Sequence, residues 1–255
     1  MVKIQPKTLF VGKNLIFLPS CHSTNDIAAE IIQKKQFIDG TVILTDHQSN
    51  GKGQRGNSWE SANGQNLLMS IVLKTNFIKA TDQFELSILT AVSIFEALSG
   101  LGFKNLKIKW PNDIFINEKK IGGILIENNL LGQNLNHSII GIGLNISQTS
   151  FESKRASSLA IEQPDIKANR DLVSERICES LERNFIFYKS HKIDTIKTKY
   201  LENLLRKDEL AEYKVGQKIF LGKILGIEPD GKLKILEENK EKYYDIKEIE
   251  HLFRD

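Results

Sequence analysis

Charged and amide side chains interrupt an apolar segment of the chain, and their presence there indicates a possible chemical function. In residues 109–127 the apolar, β-prone residues predict a strand, a tight turn at 117–119 and a second strand. Asn112, Asp113 and Lys120 lie within this pattern, and two glycines follow Lys120 directly. A buried charge is unfavourable unless it is paired, and strand glycines let another group approach the backbone. The segment is suited to hold a phosphate or carboxylate; the alternative is an ordinary hairpin with a solvated tip.

A glycine-rich loop at 46–59 is the second segment with potential chemistry, and it follows a predicted strand at 41–45. Three glycines stand at spacings of two and three, with Lys52 and Arg55 between them. Backbone amides and two cations can close over an anion, and Trp59 can form an apolar wall or stack on a ring. The loop is neither a P-loop nor a dinucleotide fingerprint, because no Lys-Ser/Thr follows the last glycine and no helix pattern begins there. The alternative is a flexible surface loop.

Two further ligand contacts are predicted, one at the start of a helix and one on a glycine-bearing strand. Ser23 is predicted to cap a helix, with Asp26 as its reciprocal partner, and free polar groups at such a terminus can bind a polar or anionic ligand. On a later strand Gly141 and Gly143 leave one face bare, and Asn145 continues that face. Such a strip suits a flat ligand such as a purine or ribose, or it admits a neighbouring helix.

The elements that position these residues are predicted from apolar periodicity. Strands are expected at 15–18, ended by Pro19, and at 66–73 and 138–147, and helices at 83–99, 169–189 and 193–206. From about residue 214 short alternating strands, with a turn at 229–231, predict a small β-barrel appendage.

Composition excludes several classes of protein. The chain has 255 residues and a net charge of +3 with interspersed acids and bases, unlike the basic stripe of a nucleic-acid-binding protein. Cys21 and Cys178 make no metal-ligand pattern, nor do the five histidines, and the cysteines are interpreted as reduced in a cytoplasmic protein. No signal peptide and no membrane-spanning run is found. The stretch before the first predicted helix is too short for a helix-turn-helix domain, so no DNA-binding module is expected.

Taken together, these segments resemble the biotin–protein ligase family over nearly the whole chain. The motifs that carry the resemblance are Ser23-Thr24-Asn25, Gln48 with Gly51-Lys52-Gly53-Gln54-Arg55-Gly56 and Trp59, Lys109-Trp110-Pro111-Asn112-Asp113, Lys120-Ile121-Gly122-Gly123-Ile124-Leu125-Ile126-Glu127, and Gly141-Ile142-Gly143-Leu144-Asn145. The resemblance implies an α+β fold. Residues 1–210 would form a class II synthetase-like catalytic domain, in which helices pack on a central mixed β-sheet, and residues 211–255 a small SH3-like β-barrel.

The resemblance also implies a reaction in two steps. The carboxylate of biotin attacks the α-phosphate of ATP and gives biotinyl-5′-AMP and pyrophosphate, with Mg²⁺ as the metal. A lysine of the biotin carboxyl carrier protein domain of a carboxylase then attacks the mixed anhydride and releases AMP. Adenylation joins two anions, so stabilisation of charge is the main task.

Site residues follow from the matched motifs. The implied catalytic residues are Lys120, Arg55 and Asp113, of which Asp113 is a candidate base for the acceptor lysine. The implied biotin contacts are Ser23, Thr24, Asn25, Gln48, Gly51, Lys52, Gly53, Gln54, Lys120 and Gly123. The implied ATP contacts are Arg55, Trp59, Asn112, Asp113, Lys120 and Asn145. Ligands of the metal are not assigned.

One departure from the family pattern concerns the loop, where the family commonly has arginines at the positions of Lys52 and Gln54. Arginine can bind an anion through two parallel hydrogen bonds, which lysine and glutamine cannot do. We expect loop closure to rely more on Arg55 and the intermediate to be held less tightly.

Three alternatives stay open. A lipoate or octanoate ligase or transferase would have a similar fold, but its pocket must take a flexible acyl chain. A non-catalytic biotin or nucleotide sensor would not need Lys120 at a reacting centre. A nucleic-acid-binding module is disfavoured by the near-neutral charge. The expected partners are biotin and the carrier domain, with no DNA, no membrane and a possible homodimer.

Overall fold

A mixed sheet of seven strands carries most of the predicted site residues. The computed structural model describes residues 4–253, apart from the side chain of Arg55. The strands are β1 (Leu15–Cys21), β2 (Thr41–Gln48), β3 (Leu67–Lys74), β4 (Leu106–Lys109), β5 (Asp113–Ile116), β6 (Lys119–Leu131) and β7 (Asn134–Leu144). Their order is β1-β2-β3-β7-β6-β5-β4, and β1 and β2 are parallel while the other neighbours are antiparallel.

Helices cover both faces of this sheet, which explains the near-continuous apolar runs of its strands. The helices are α1 (Thr24–Gln33), α2 (Phe84–Gly100), α3 (Leu159–Glu162), α4 (Arg170–Lys189) and α5 (Ile193–Glu202). On β2, Ile43 belongs to a small apolar cluster beneath α1, whereas Val42 and Leu44 point into the main core that α2 and α4 close. The alternation of a strand therefore serves two cores at once.

A second, antiparallel sheet of five strands forms the C-terminal unit. Its strands are β8 (Leu210–Val215), β9 (Lys218–Ile227), β10 (Leu233–Glu237), β11 (Lys240–Tyr244) and β12 (Glu250–His251), in the order β11-β10-β9-β8-β12. It is docked on the first unit: Trp110 Nε1 donates to the carbonyl oxygen of Gly231 at 2.9 Å, and Phe253 stacks on Phe115 with 6.0 Å between ring centroids. The C-terminal unit therefore packs beside the segment that carries Asp113.

Two sequence expectations about strands are wrong. The segment 109–127 was expected to be one hairpin, but the chain also reverses between β4 and β5, at the cis peptide Trp110–Pro111. Pro19 was expected to end the first strand, yet β1 continues to Cys21. Pro19 is tolerated because β1 is an edge strand and the residues paired with β2 on either side of the proline are Leu18 and Ser20.

Candidate functional site

A cleft of about 870 Å³ opens where the start of α1, the loop after β2 and the strands β5, β6 and β7 converge. It brings together most of the predicted site residues, namely Ser23, Thr24, Asn25, Gln48, Lys52, Gly53, Gln54, Trp59, Asn112, Asp113, Lys120, Gly123 and Asn145. Gly51 does not line the cleft. The side chain of Arg55 lies outside the described part of the chain. Residues from distant segments thus share one cavity.

Lys120 and Asp113 form the charged centre of the cleft. Lys120 Nζ lies 2.6 Å from Asp113 Oδ1, and Lys109 Nζ lies 3.8 Å from Asp113 Oδ2. One carboxylate therefore faces two ammonium groups, and this leaves an excess of positive charge for anionic ligands. Burial lowers the pKa of Lys109, as does the charge of Lys120, while Asp113 opposes this shift.

The backbone around Lys120 is clamped by the segment that follows β7. Lys120 N donates to Arg155 O at 2.8 Å, and Ser157 N donates to Lys120 O at 2.9 Å. On the opposite side, β6 is paired with β5, with a register shift between Ile114 and Phe115. Lys120 is thus held on both sides by neighbouring chain, which positions its side chain at the cleft.

The space left by the missing side chains of Gly123 and Gly143 is filled by the indole of Trp59. A Cβ at Gly143 would come within 2.5 Å of Trp59 Cε2, and one at Gly123 within 3.1 Å of Trp59 Cζ3. Lys120 Nζ lies 5.6 Å from the centroid of the Trp59 ring. Trp59 Nε1 is buried and has no hydrogen-bond partner within the described residues. The indole therefore forms the wall of the cleft beside the charged centre, with one donor unused.

The glycine-rich loop is folded back over the cleft. Trp59 N donates to Gly51 O at 2.9 Å, and Gly53 N donates to Asn57 O at 2.7 Å. Lys52 pairs with Asp26 at the start of α1, which ties the loop to the helix. The short 3-10 helix Gln54–Gly56 lies between these ties. The loop has internal bonds and an ionic tether, and this favours the folded-back arrangement over a purely flexible loop.

The predicted capping box at the start of α1 is wrong. Ser23 occupies the N-cap position, but its side chain makes no capping hydrogen bond. Asp26 pairs with Lys52 and lies 3.7 Å from His22 Nε2. The carboxylate is engaged by Lys52, and this explains why it does not return to the backbone of Ser23.

A buried hydrogen-bond network occupies the polar end of the cleft. The backbone N–H of Thr24 donates to Gln48 Oε1 at 2.7 Å. Ser70 Oγ lies 2.7 Å from Thr24 Oγ1 and 2.6 Å from Asn25 Oδ1. Asn25 Nδ2 donates to Glu127 Oε2 at 2.7 Å. Both polar groups of Asn25 are therefore engaged within the protein, so the amide fixes the positions of its neighbours at the wall of the cleft.

Asn145 and Asn112, two other predicted site residues, each use the NH2 group of the side chain in a hydrogen bond within the protein. Asn145 Nδ2 donates to Ser157 O at 2.8 Å, while Asn145 Oδ1 is buried without a partner among the described residues. Asn112 Nδ2 donates to Ile124 O at 2.7 Å. In both cases the oxygen is the atom left for a ligand, and for the buried oxygen of Asn145 the lack of a donor is unfavourable until a ligand supplies one.

Several residues at or beside the cleft are not predicted by any motif of the sequence. Ser70 is a single polar residue in an otherwise apolar strand, and Arg155 lies in a segment without a motif. His251 reaches the cleft from β12. Burial, together with the charges of Lys109 and Arg206, lowers the pKa of His251 to about 3, so its ring is neutral at pH 7. Only the docking of the two units places this histidine at the cleft.

Fold and cleft together define a class: an enzyme built on a helix-covered mixed sheet, with a cleft around a lysine whose groups suit small polar and anionic molecules. The chain belongs to the biotin/lipoate A/B protein ligase family, whose family model matches residues 17–145. It is 30% identical over 232 residues to the bifunctional ligase/repressor BirA of Bacillus spizizenii, covering 89% of this chain and 70% of the relative. It is 28% identical over 151 residues to human biotin–protein ligase, covering 56% of this chain and 20% of the relative.

Solved structures agree with this assignment. The biotin protein ligase of Aquifex aeolicus in complex with biotin and ATP superimposes with a TM-score of 0.76 at 27% identity, covering 94% of this chain and 100% of that chain. The predicted α+β fold and the predicted biotin–protein ligase class are confirmed by these comparisons. Within residues 4–253 no helix is long and apolar enough to cross a membrane.

Proposed function

We propose that this chain activates biotin with ATP to biotinyl-5′-AMP and transfers biotin to a lysine of a biotin carboxyl carrier protein domain. The observation that carries this proposal is the position of Lys120. Its Nζ is paired with Asp113 in a cleft that also holds the Thr24–Gln48 pair and the unpaired oxygen of Asn145. One cleft therefore offers groups for an uncharged polar ligand, for a reacting anion and for a nucleobase.

Adenylation requires two anions to meet. As a carboxylate oxygen of biotin bonds to the α-phosphorus, the bond to the β-phosphate bridge breaks and pyrophosphate leaves. Lys120 is assigned to both anions, because an ammonium group in a partly buried cleft stabilises the charge that they share in the transition state. Lys109 stays beside Asp113 when Lys120 turns to the substrates, so the carboxylate keeps a cationic neighbour.

The uncharged end of the cleft favours biotin over lipoate. Gln48 Oε1 accepts from Thr24 N–H, and this leaves the Gln48 Nε2 hydrogens to donate to a ligand. A cyclic urea offers a carbonyl oxygen for that donor, whereas the dithiolane of lipoate offers none. Thr24 and Gln48 are therefore assigned to the ureido group of biotin, with Ser23, Asn25, Lys52, Gly53 and Gln54 lining the surrounding wall.

The nucleotide is assigned to the other end of the cleft. Asn145 Oδ1 needs a donor and Trp59 Nε1 needs an acceptor, and the edge of an adenine ring carries both an amino group and ring nitrogens. Trp59 also offers an apolar surface to the base. Gly51 and Arg55 belong to the loop that would exclude water from the adenylate.

Transfer needs a neutral amine, since the ammonium form of the acceptor lysine has no lone pair. Asp113 is proposed to accept the proton of that lysine once Lys120 is engaged with phosphate. The amine then forms the amide bond with the acyl carbon, and AMP leaves with the electrons of the broken anhydride bond.

Mg²⁺ fits this site only together with the nucleotide. Among the described residues there is no group of three or more His, Cys, Asp or Glu side chains placed to hold a metal. Mg²⁺ is commonly held by one or two protein oxygens plus phosphates, and Asp113 with the oxygen of Asn112 meets that need. The ion, when bound, would neutralise phosphate charge.

The test is ATP–pyrophosphate exchange with Mg²⁺ and with biotin, lipoate or octanoate in parallel. We expect exchange with biotin alone, a loss of about 10²- to 10³-fold in Lys120→Ala, and normal exchange in Lys119→Ala. Lys119 is the matched control, since its side chain is exposed and donates to Lys154 O at 2.8 Å. Exchange with lipoate or octanoate instead of biotin would move the chain to the neighbouring activity. Exchange with none of them, in folded protein, would contradict adenylation.

Four further expectations belong to this proposal. The boundary between a catalytic domain of residues 1–210 and an SH3-like domain of 211–255 is supported by the start of the second sheet at Leu210. A cytoplasmic location, a possible homodimer and the lack of DNA binding stay predictions from the sequence.

A further inference from the structure

A chain of hydrogen bonds leads from Glu127, on the exposed end of β6, to Thr24 at the polar end of the cleft. Asn25 Nδ2 donates to Glu127 Oε2 at 2.7 Å. Ser70 Oγ lies 2.6 Å from Asn25 Oδ1 and 2.7 Å from Thr24 Oγ1. Thr24, Asn25 and Ser70 are all buried, and Gly141 has no side chain where a Cβ would overlap Asn25 Oδ1. Packing thus fixes the positions of Thr24, Asn25 and Ser70 in this chain of hydrogen bonds.

The outer end of the chain fixes the direction of each bond. Glu127 can only accept, and so can the carbonyl oxygen of Leu125, which lies 3.4 Å from Asn25 Nδ2. Asn25 must therefore turn its NH2 group toward β6 and its oxygen toward Ser70. The single hydroxyl hydrogen of Ser70 goes to Asn25, so the short contact between Ser70 and Thr24 must take its hydrogen from Thr24.

The inner end of the chain then has a defined polarity toward the ligand. The hydroxyl hydrogen of Thr24 has two acceptors within reach, Ser70 Oγ at 2.7 Å and Gln48 Oε1 at 3.1 Å, and either contact uses that single hydrogen inside the protein. Thr24 Oγ1 therefore meets a ligand with lone pairs, while Gln48 meets it with the hydrogens of Nε2. An acceptor beside a donor is the complement of an N–H beside a carbonyl, as in a cyclic urea.

We propose that Glu127 and Ser70 are positioning residues that set this donor and acceptor pattern through Asn25. The inference rests on the proposed function, since it names how the biotin end of the cleft selects a urea. Neither Glu127 nor Ser70 lines the cleft, so both act through the residues that do.

Glu127 is exposed, which allows the polarity to be tested without disturbing the core. In Glu127→Lys a donor replaces the acceptor, so the amide of Asn25 is driven to turn, Ser70 donates to Thr24, and one of the two lone pairs of Thr24 Oγ1 is no longer available to the ligand. We expect the Kd for biotin to rise about tenfold, equivalent to about 1.4 kcal/mol. Glu127→Gln keeps an accepting oxygen, and its effect should be about twofold or less. The Kd of a non-hydrolysable ATP analogue should not change in either variant.

A matched control and a double-mutant cycle separate the relay from general effects. Glu30→Lys makes the same charge change on an exposed glutamate of α1 outside the chain of bonds, and it should leave the Kd for biotin unchanged. In a Ser70→Ala background the relay is broken, so Glu127→Lys should have no further effect on that Kd. Ser93→Ala, another fully buried serine, controls for loss of a buried hydroxyl and should leave both ligands bound normally.

Titration calorimetry on the full chain decides the outcome. If Glu127→Lys weakens biotin to the same extent with and without Ser70, the two residues act independently and the relay is wrong. Equal weakening of biotin and the ATP analogue would also overturn it, because the chain of bonds ends only at the polar end of the cleft. If the wild-type chain itself fails to bind biotin, the failure lies in the proposed function.

Discussion

The indole of Trp59 lies against Gly143 so closely that a Cβ at this glycine would come within 2.5 Å of Trp59 Cε2. The contact joins the far end of the glycine-rich loop to a central strand of the sheet. It makes the wall of the cleft depend on the absence of one methyl group. Loop closure and strand sequence are therefore coupled at a single position.

Gly143→Ala is expected to displace Trp59 and weaken the nucleotide end of the cleft. We expect the KM for ATP to rise about five- to tenfold, since an aromatic contact contributes about 1 kcal/mol, while the KM for biotin changes less. The fluorescence emission of Trp59 should shift to longer wavelength as the ring enters water, against the constant signal of the buried Trp110. Gly226→Ala is the control, because its Cβ would meet no atom within 4 Å. Unchanged emission and KM values would refute the coupling.

Arg55→Ala is expected to shorten the lifetime of enzyme-bound biotinyl-5′-AMP by about tenfold. The reason is that Lys52 is engaged by Asp26 and Gln54 carries no charge, so Arg55 is the cation expected to hold the closed loop on the adenylate. The measurement is the rate at which biotinyl-5′-AMP leaves the enzyme in the absence of acceptor. It is followed as the fraction of the intermediate that passes through a filter that retains the protein. Lys34→Ala, at the far end of α1, should retain the intermediate as the wild type does. An unaltered lifetime in Arg55→Ala would disprove this role.

The sequence predicted the parts of the site that lie in continuous motifs. Lys120, Asp113, Trp59 and Asn145 stand in segments whose glycines or charges conflict with an ordinary strand or loop, and that conflict is visible in one dimension. The partners of the glycine strip were not predictable in this way. Whether Gly141 admits a helix or a ligand depends on Asn25, more than a hundred residues earlier, and only the folded sheet brings the two together.

The errors have the same physical origin. The cap of α1 was predicted from a local pattern, but Asp26 pairs with Lys52 from the loop, which is a tertiary contact. Pro19 predicts the end of a strand by its residue type alone, but the edge position of β1 leaves its missing N–H without consequence. Ser70 appeared as one polar residue in an apolar strand, and its role follows only from the two neighbours that share its hydroxyl.

Stability in acid should depend on Glu96, which joins three helices. Burial alone would raise the pKa of Glu96, but hydrogen bonds from Lys199, Arg183, Asn184 and Ser180 outweigh burial and lower it to about 2. Because the folded value lies below the ordinary 4.5, the carboxylate stabilises the fold above about pH 4.5, and this contribution is lost as pH falls toward 2.

Glu96→Gln is therefore expected to lower the free energy of unfolding by about 1–2 kcal/mol at pH 7. The difference between variant and wild type should shrink at pH 3, since the wild-type carboxylate then begins to lose its advantage. Urea unfolding at the two pH values measures both quantities. A difference that stays constant between pH 7 and pH 3 would mean that the charge of Glu96 is not what stabilises the helices.

The N-terminal segment should be released from α4 by removal of one carboxylate. Glu182 is buried and accepts the backbone N–H groups of Leu9, Phe10 and Val11 at 2.6, 2.7 and 2.9 Å. Three donors on one carboxylate lose their partner together in Glu182→Ala, and we expect a loss of about 2–4 kcal/mol in the free energy of unfolding. Amide hydrogen exchange at residues 9–11 should accelerate first, because local opening precedes global unfolding.

Glu179→Ala is the matched control for this prediction. Glu179 lies on the same helix and accepts one backbone N–H, that of Lys7, at 2.9 Å. Hydrogen bonds from Lys7 and Arg176 outweigh its partial burial and lower the pKa of Glu179, which is half-buried, whereas Glu182 is buried. We expect less than about 1 kcal/mol from its removal and slow exchange retained at residues 9–11. Equal effects of the two substitutions would show that the number of donors on the carboxylate does not decide how firmly the segment is held.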